Sequence, residues 1–385
     1  MQSLLKSDPR RLGDMTLVLV TLILVSYGLV MIYSTGIAVA ERTYGDSLYF
    51  VKRHLFNLLI ALGAFYAGYR LDYRLWRKWL PVMMGGILLL LIAVLLSDLG
   101  ASVKGGRRWL RVAGIGIQPA EFLKIVLIVY VASYLERKQE ILGSFLKGLT
   151  PNFLITGLYL FLVMMQPDFG SVALMALTVL VMLYLGGGRI VHISASLLSA
   201  ALVGYLLIIS ADYRLKRVTA FLNPWDDPQN SGYQIIQAFI AMGSGGWSGR
   251  GLGMSRQKLF FLPEAHTDFI FAIIGEEFGF LGALILVALF SIFLWRGFWI
   301  AWNAPDSFAR NLAAGLTTLL SLQVLFNMGV VTGLLPTKGL SLPFISYGGS
   351  SLVTTLLITG ILLNISRTVM RIDSNSRASA ATPHG

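Results

Sequence analysis

The sequence predicts an all-α integral membrane protein with ten transmembrane helices, folded as a single domain over residues 1–372. Three observations lead to this prediction. Of the 385 residues, 56% are hydrophobic and only 13% are charged. The apolar residues come in runs of about twenty, which is the length that crosses a ~30 Å hydrocarbon layer. Basic residues collect on alternate loops between these runs, as they do on the cytoplasmic side of membrane proteins.

The ten predicted spans lie near residues 15–34, 53–69, 79–97, 119–135, 150–166, 171–187, 190–209, 268–295, 311–334 and 347–366. An even number of spans places the N- and C-termini on the same side. If that side is cytoplasmic, sixteen of the thirty-one Lys and Arg residues lie on inside segments, as the positive-inside rule expects. Residues 373–385 are rich in Ser and Ala and are predicted to form a disordered tail.

The longest predicted loop, about 210–267, is extracytoplasmic and separates the seventh and eighth spans. It contains an Asn-Pro-Trp-Asp-Asp-Pro turn at 223–228, a helix-like apolar stretch at 233–242 and six glycines within 243–253. Turns, a short surface helix and a glycine-rich return predict an ordered cap over the membrane face. The glycines either cradle a phosphate through backbone amides or form a plain flexible loop.

Composition argues against several classes of site. The chain has no Cys, and its four His residues are far apart in sequence, so disulfides and thiolate metal sites are excluded. No P-loop, dinucleotide-binding or HExxH motif stands in a suitable context. The net charge of +12 is spread over short loops between apolar runs, which indicates anionic lipid rather than nucleic acid as the partner.

Two outside segments, 98–118 and 210–267, carry more basic residues than the positive-inside rule predicts. These residues are Lys104, Arg107, Arg108, Arg111, Arg214, Lys216, Arg217, Arg250, Arg256 and Lys258. Long loops cross the membrane whatever their charge, which would account for 210–267. Because a third outside segment adds Lys338, we prefer a second interpretation, in which these cations bind an anionic ligand at the outer leaflet.

The most unusual stretch is 260–279, where a polar turn leads into an apolar helix. Its ionisable residues are Glu264, His266, Asp268, Glu276 and Glu277. A charge near the bilayer centre costs at least ~2.5 kcal/mol, so such residues indicate function. On a helix that starts at residue 268, Asp268 lies above a stripe of small residues, while Glu276 and Glu277 point away and are predicted to be structural partners of polar or basic groups.

The small-residue stripe consists of Ala272, Gly275, Gly279 and Gly282. Small residues at this spacing predict close packing of one helix against another. The alternative is a shallow groove for an acyl or prenyl chain that leads up to Asp268.

Three other features place polar groups at the outer ends of helices. Glu121 and Lys124 share a helix face, which predicts either an ion pair or a lysine that contacts a phosphate. Asp168 follows a proline at a helix start, where it either caps the helix or binds a ligand. Residues 335–351 contain two prolines and three glycines, which predicts non-helical backbone around a cavity lined by Lys338 and Ser346.

Several of these motifs resemble one family. The segments that carry the resemblance are 262–272, 335–351, 104–105 with 108–109, 118–121, 166–170 and 232–234. They are similar to the SEDS family, the FtsW/RodA peptidoglycan glycosyltransferases, and the resemblance runs from the first span to the last. Thr337-Lys338 and Asn223-Pro224-Trp225 look more like the cell-division member than the elongation member.

The resemblance implies ten spans, lipid II as the substrate and Asp268 as the essential residue. It also implies a location in the bacterial cytoplasmic membrane at the division septum. The implied partners are a class B penicillin-binding transpeptidase, other divisome membrane proteins and membrane lipid, with no nucleic acid.

Transfer of a sugar from a lipid pyrophosphate needs a base for the hydroxyl proton and cations for the departing charge. Asp268 is the predicted base. The predicted contacts to the substrate and its pyrophosphate are Lys104, Arg108, Lys124, Arg217, Arg250, Lys338 and Ser346. The predicted supporting residues are Glu121, Glu264, His266 and Glu276.

No cofactor is certain from the sequence, although a divalent cation, Mg²⁺ or Mn²⁺, would also stabilise the leaving charge. The main alternative function is a lipid II flippase, which the intramembrane Lys124, Glu276 and Glu277 would suit. A third hypothesis, an ion-coupled transporter of small solutes, is weakened because the sequence shows no inverted repeat with paired broken helices.

Overall fold

The computed structural model describes residues 13–96, 100–103, 106–112, 115–210 and 212–380, and this part of the chain is mainly helical. Its α-helices are α1 Met15–Tyr44, α2 Tyr49–Arg70, α3 Tyr73–Lys78, α4 Leu80–Leu96, α5 Pro119–Lys138, α6 Thr150–Met164, α7 Phe169–Leu185, α8 Ile190–Ile209, α9 Asp212–Leu222, α10 Tyr233–Gly245, α11 Ile270–Trp302, α12 Ser307–Val331 and α13 Gly349–Ala380. A small antiparallel sheet has the strands β1 Gly100–Val103, β2 Gly106–Val112 and β3 Ile115–Ile117, in the order β1-β2-β3.

Each predicted span coincides with a helix of the described chain, and several helices extend beyond the predicted ends. Five helical segments are long and apolar enough to cross a membrane by themselves: Met15–Tyr44, Phe145–Met164, Ile270–Trp302, Ser307–Val331 and Gly349–Met370. Helices α4, α7 and α8 add shorter apolar segments. The chain is therefore a multi-pass membrane protein. Within the predicted cap, α10 confirms the short helix expected at 233–242.

Helices α5, α12 and α13 form the centre of the bundle. Helix α5 is buried along most of its length, from Pro119 to Leu135, as expected of a helix that is apolar all round. Helix α12 packs against α5, α7 and α11, and α13 packs closely against α2. By contrast, α8 lies at the periphery against α7 and α9, and exposes large apolar side chains such as Leu198 and Leu202.

The predicted outside segment 98–118 contains a small sheet, which was not predicted from the sequence. Strand β2 pairs with β1, where Ala101 lies opposite Trp109, and with β3, where Leu110 lies opposite Ile117. The sheet contacts α4 and α5, and Leu110 is buried. An isolated small sheet is marginally stable in water, so packing against the helices is what holds this segment in order.

Helix α11 corrects the prediction of a continuous helix from residue 268. It begins at Ile270 and is interrupted at Gly279, whose φ of 67° and ψ of −165° are not helical. Only a residue without a Cβ adopts this conformation at low cost. Residues 280–302 after the interruption would extend for about 34 Å, enough to span a bilayer without the first part of the helix.

The glycine-rich segment 245–253 satisfies the backbone groups that this interruption frees. The N–H groups of Arg250 and Gly251 donate to the carbonyl oxygens of Glu276 and Glu277, both at 3.0 Å. In return, the N–H groups of Phe280 and Leu281 donate to Gly246 (2.9 Å) and Trp247 (3.1 Å). Unpaired backbone groups are costly at membrane depth, so these bonds make the broken helix possible.

The small-residue stripe serves close packing, as the first of the two interpretations predicted. A Cβ at Gly245 would collide with the Gly275 carbonyl oxygen, and one at Gly249 with the Glu277 carbonyl oxygen. Two N–H groups of the glycine-rich segment, those of Arg250 and Gly251, bond the carbonyl oxygens of Glu276 and Glu277 on α11, which argues against a plain flexible loop. At the C-terminus, α13 continues to Ala380 and so includes part of the predicted tail; residues 381–385 lie outside the described chain.

Candidate active site

Asp268 ends a turn-rich segment, two residues before the start of α11. Glu264 shapes this segment, because its φ of 59° lies in the left-handed region. Its carbonyl oxygen accepts hydrogen bonds from the N–H groups of Thr267 (3.1 Å) and Phe269 (3.2 Å). Its carboxylate accepts a third from the Thr267 hydroxyl, at 2.9 Å. Glu264 therefore holds the turn that presents Asp268.

The segment between α12 and α13 packs against this turn. Asn327 of α12 donates through Nδ2 to the carbonyl oxygens of Asp268 (2.8 Å) and Leu340 (2.6 Å), and so joins the two segments. Ser346 is buried; its hydroxyl donates to the Thr267 carbonyl oxygen (2.6 Å) and accepts from the backbone of its own segment (2.8 Å). The structure thus places Ser346 as a link between the segments that flank Asp268.

His266 packs in an aromatic cluster beside the same turn. Its ring centroid lies 4.8 Å from that of Phe50 and 5.9 Å from that of Tyr347. Its carbonyl oxygen accepts a hydrogen bond of 3.0 Å from the Tyr347 N–H. These contacts fasten the Asp268 turn to α2 and to the start of α13.

The carboxylate of Asp268 lies against the backbone of Gly339. A Cβ at Gly339 would be only 2.6 Å from Oδ2 of Asp268, well inside normal contact distance. Asp268 itself is half-buried. Glycine at 339 therefore allows the carboxylate to reach the segment that carries Lys338.

Lys338, the neighbour of Gly339, extends along the start of α7. Its Nζ lies 5.0 Å from the centroid of the Phe169 ring, and its aliphatic chain fills the space that a side chain at Gly170 would need. Burial lowers the pKa of the Lys338 ammonium to about 7. The negative charge of Asp168 raises this pKa, and three arginines lower it further: Arg108, Arg217 and Arg214.

Arg108 and Asp168 define the wall of the site next to Lys338. Arg108, on β2, donates from Nε to the Gln166 carbonyl oxygen (3.0 Å) and from Nη2 to the Pro167 carbonyl oxygen (2.5 Å). Asp168 caps α7 by accepting from the N–H (3.3 Å) and hydroxyl (2.7 Å) of Ser171. The capping interpretation of Asp168 is confirmed, and the same carboxylate acts electrostatically on Lys338.

Glu121 and Lys124 form the buried ion pair that one interpretation predicted. Nζ of Lys124 lies 2.6 Å from Oε1 of Glu121, and both side chains are almost inaccessible to solvent. Thr354 of α13 also donates to Glu121, at 3.4 Å. The pair thus connects α5 to α13.

A second buried network surrounds Glu276 and Glu277, as their predicted structural role requires. Glu277 accepts from the Ser34 hydroxyl (2.7 Å) and from Lys258 Nζ (2.8 Å). Glu276 accepts from the Ser255 hydroxyl at 2.5 Å and lies 3.7 Å from Arg250. These bonds join α1, α11 and the glycine-rich segment.

The structure therefore groups Asp268, Lys338 and Arg108 with Arg217, all predicted from the sequence. It places Arg250 beside Glu276 instead, where Arg250 also donates to the Ser244 carbonyl oxygen at 3.1 Å. Lys104 lies outside the described residues.

The predicted set of site residues did not include Asp168, Gly170 and Arg214, although Arg214 was among the outside cations expected to bind an anionic ligand and ligand binding was one of the two interpretations of Asp168. For Arg214, the signal was present: it lies three residues before Arg217 on α9, so both share one helix face.

No group of three or more His, Cys, Asp or Glu side chains in the described residues could hold a metal ion. The groups that the structure brings to the Asp268 site include the cations Lys338, Arg108, Arg214 and Arg217, which do not fit a metal that the protein itself would hold. No step below depends on one.

Comparison with known proteins identifies the family. Residues 14–371 match the family model for FtsW, RodA and SpoVE, described as cell cycle protein. The chain is 44% identical to the probable peptidoglycan glycosyltransferase FtsW of Geobacter metallireducens, over 92% of this chain and 94% of that protein. It is also 44% identical to stage V sporulation protein E of Bacillus subtilis, over 92% and 97% of the two chains.

Solved structures agree with this result. A chain from a study of polymerization and crosslinking by a peptidoglycan synthase complex superposes with a TM-score of 0.76 and 28% identity, covering 93% of this chain and 98% of that one. Thermus thermophilus RodA, a rod shape determining protein, superposes with a TM-score of 0.69 and 27% identity, covering 92% and 97%. The chain therefore belongs to the FtsW/RodA/SpoVE family of cell cycle proteins.

Proposed function

We propose that this protein polymerises lipid II into glycan strands at the outer face of the cytoplasmic membrane, during synthesis of the division septum. Its relatives named peptidoglycan glycosyltransferase and its likeness to a peptidoglycan synthase make it a peptidoglycan glycosyltransferase. The substrate, the catalytic base, the leaving group and the septal role are the proposal.

The observation that carries the proposal is the half-buried carboxylate of Asp268 next to a group of cations, while the other carboxylate of the group, Asp168, caps α7 through Ser171. Asp268 abuts Gly339, and the adjacent Lys338 lies within the electrostatic influence of Arg108, Arg217 and Arg214. A glycosidase needs two carboxyl groups about 5–10 Å apart, one of which protonates the leaving group. Pyrophosphate leaves as a stable anion, so one base and several cations suffice.

In the proposed reaction, the sugar hydroxyl of one substrate attacks the anomeric carbon of the other. Asp268 takes the hydroxyl proton as the new carbon–oxygen bond forms. The bond between the anomeric carbon and the pyrophosphate breaks, and its electron pair leaves with undecaprenyl pyrophosphate. Lys338, Arg108 and Arg217 stabilise the charge that develops on this leaving group.

The other predicted residues act through the framework. Glu264, His266 and Ser346 hold the turn that carries Asp268, through the hydrogen bonds and ring contacts described above. The Glu121–Lys124 pair and the Glu276 network join helices around the site. A divalent cation would be brought with the substrate's pyrophosphate.

The proposed topology has ten spans with cytoplasmic termini, so that β1–β3, α9, α10 and the segments on either side of Asp268 lie outside. This orientation is supported by the short loops, whose basic residues lie mostly on the opposite side, while the outside basic residues lie mainly in the two segments 98–118 and 210–267. It puts the Asp268 site on the face where a polymerase of exported lipid II must work. The proposed partner is a class B penicillin-binding transpeptidase, because one structural neighbour comes from a peptidoglycan synthase complex.

The test is polymerisation of fluorescent lipid II by purified protein in detergent, with and without the transpeptidase. Detergent solutions have no two membrane sides, so glycan strands formed there come from catalysis. Asp268→Asn should lower the rate by about 10²–10⁴-fold, the usual contribution of a general base. Wild-type rates from Asp268→Asn would refute the assignment of the base.

The alternative function, a lipid II flippase, has less support from the structure. It relied on Lys124, Glu276 and Glu277 as intramembrane groups that move with a substrate. Each is instead held in a buried ion pair or hydrogen-bond network that joins helices. Transbilayer movement of lipid II in vesicles, combined with no polymer from protein plus transpeptidase in detergent, would favour the flippase.

A further inference from the structure

A cavity of about 360 Å³ lies between α6, α7 and α8, well away from the residues of the Asp268 site. Its volume is within the ~300–1,000 Å³ of typical small-molecule sites. The lining is almost wholly apolar, with a few hydroxyls, and includes Phe145, Gly157 on α6, Leu180 on α7 and residues between 195 and 200 on α8.

The cavity lies towards the end of the bundle opposite Lys338. Helix α7 begins beside Lys338, at Phe169, and Leu180 in the cavity wall is about 16 Å further along its axis. On α8 the lining residues 195–200 belong to the half that starts at Ile190, away from the α9 arginines. In the orientation proposed above, this is the cytoplasmic half of the membrane.

The cavity opens towards lipid rather than towards water. Large apolar side chains on both flanking helices are exposed in the protein, with Leu154 and Leu158 on α6 and Leu198 and Leu202 on α8. Such a surface on a multi-pass protein faces hydrocarbon chains. An occupant can therefore enter sideways from the bilayer.

Two basic residues, Lys147 and Arg189, lie close in sequence to the lining residues at the cytoplasmic end of the cavity. Lys147 follows the lining residue Phe145 by two positions, and Arg189 precedes α8; both are exposed. Neither forms an ion pair with any residue in the described parts of the chain. Arg189 lies near Gly143, where a Cβ would be 3.4 Å from its Nε, so both cations flank the segment that ends in Phe145.

His192 adds a polar group at the same end of the cavity. Its ring centroid lies 5.5 Å from that of Phe145. Its Nδ1 is buried and has no hydrogen-bond partner among the described residues. A buried polar atom without a partner costs free energy unless a ligand or water satisfies it.

We propose that this cavity is a binding site for an anionic phospholipid of the inner leaflet, with one acyl chain in the cavity and the phosphate against Lys147, Arg189 and His192. Basic pockets between transmembrane helices on the cytoplasmic side recognise anionic head groups in this way. The site is separate from the reaction at Asp268 and needs only the proposed orientation. Helix α8 lies at the periphery of the bundle, where it packs only lightly against α7. The bound lipid would fill the space between α8, α6 and α7.

The test compares phosphatidylglycerol with phosphatidylcholine of the same acyl chains, added to the purified full-length protein in detergent and counted by native mass spectrometry. Wild-type protein should retain one phosphatidylglycerol much more tightly than phosphatidylcholine. A basic residue near an anionic lipid contributes about fivefold to affinity, so Lys147→Ala with Arg189→Ala should weaken phosphatidylglycerol about thirtyfold. Phosphatidylcholine should change little, and Lys147→Arg should retain wild-type binding.

The cavity itself is tested by filling it. A Cβ at Gly157 meets no atom within 4 Å, so Gly157→Leu can project into the cavity and should reduce binding of both lipids. Gly85→Leu is the matched control, because Gly85 also lies on an apolar helix with open space around it. A phosphatidylglycerol with a photoreactive acyl chain should label peptides from α6 and α8.

Wild-type phosphatidylglycerol binding in Gly157→Leu, or in the Lys147→Ala and Arg189→Ala double variant, would overturn the proposal. Labelling confined to other helices would do the same. If Gly157→Leu does not fold, the double variant still decides, because its changes are on the surface. Lipid II polymerisation serves as the check that each variant is folded.

Discussion

Substitution of Gly339 by alanine tests whether the position of the Asp268 carboxylate determines the rate. The new Cβ would lie 2.6 Å from Oδ2 of Asp268, whereas an ordinary contact begins near 3.4 Å. One of the two groups must therefore move by about 0.8 Å. The φ angle of Gly339 is outside the left-handed region, so alanine fits the backbone there. Displacements of about 1 Å typically cost about 10²-fold in rate, and we expect kcat to fall by roughly 30- to 100-fold.

The assay is the initial rate of lipid II polymerisation, with KM and melting temperature measured in parallel. KM should change little, because Lys338 and Arg108 keep their places. Gly348→Ala is the matched control: it lies in the same segment, and its Cβ would be 3.6 Å from the nearest atom.

A double variant separates this effect from a general defect. In an Asp268→Asn background, Gly339→Ala should cause little further loss, because the group that it displaces has already lost its function. A normal kcat for Gly339→Ala, or additive losses in the double variant, would show that the contact does not position the base.

Three further predictions concern the groups around this site. Burial lowers the Lys338 pKa to about 7, so in the free protein this side chain loses its charge as pH rises through 7. Above that pH, the affinity of the wild-type protein for lipid II should fall by up to about tenfold per pH unit, whereas the affinity of Lys338→Met should not change with pH. Equal slopes for the two proteins would contradict this prediction. Lys258→Met leaves the buried carboxylate of Glu277 without its ion-pair partner. The free energy of unfolding, measured by denaturant titration, should fall by about 3–5 kcal/mol. An unchanged free energy of unfolding would mean that the ion pair is not formed. The Gly249→Ala variant should have a lower melting temperature than the Gly253→Ala variant. Both glycines have a φ of 80°, but only a Cβ at Gly249 would collide with a neighbour, the backbone of Glu277. Equal melting temperatures would refute the packing argument.

The helices were predictable because they depend on local composition. Each apolar run of about twenty residues must satisfy its own backbone in lipid, and a helix is the usual way for one segment to do so. The end points were less predictable, since α1 and α11 continue well beyond the predicted spans, to Tyr44 and Trp302.

The break at Gly279 could not be predicted from its own surroundings. The glycine indicated close packing, but whether the helix continues depends on backbone partners from Gly246 and Trp247, some thirty residues earlier. The same holds for Arg250, whose neighbours Ser244 and Glu276 come from two different elements. Contacts of this kind are set by tertiary structure, which leaves no periodic pattern in the sequence.

In the candidate site, residue chemistry was predictable and residue geometry was not. Asp268 and Lys338 stood out because charges are rare in this chain, and Arg108 because basic residues outside are unusual. Asp168 was correctly identified as a possible cap, but its effect on Lys338 requires the approach of two segments that are 170 residues apart. The need for glycine at 170 and 339 becomes visible only in the folded protein, because each glycine leaves room for a side chain from a distant segment: Lys338 at Gly170 and Asp268 at Gly339.

The distribution of ion pairs explains how the site keeps its positive charge. The buried carboxylates of Glu121 and Glu277 each have a lysine of their own, Lys124 and Lys258, so they are neutralised within the framework. Arg108 is held differently, because its two bonds go to carbonyl oxygens, which orient the guanidinium without cancelling its charge.

Lys338 likewise lies against an aromatic ring and a glycine and forms no ion pair within the described parts of the chain. Arg108, Arg217 and Arg214 contribute three further cations to the surroundings of Lys338, against the single carboxylate of Asp168. A substrate pyrophosphate would supply the missing negative charge. In the proposed orientation and reaction, four of the outside basic residues that break the positive-inside rule, Arg108, Arg214, Arg217 and Lys338, would bind the leaving group, whereas Arg250 and Lys258 pair with the framework carboxylates.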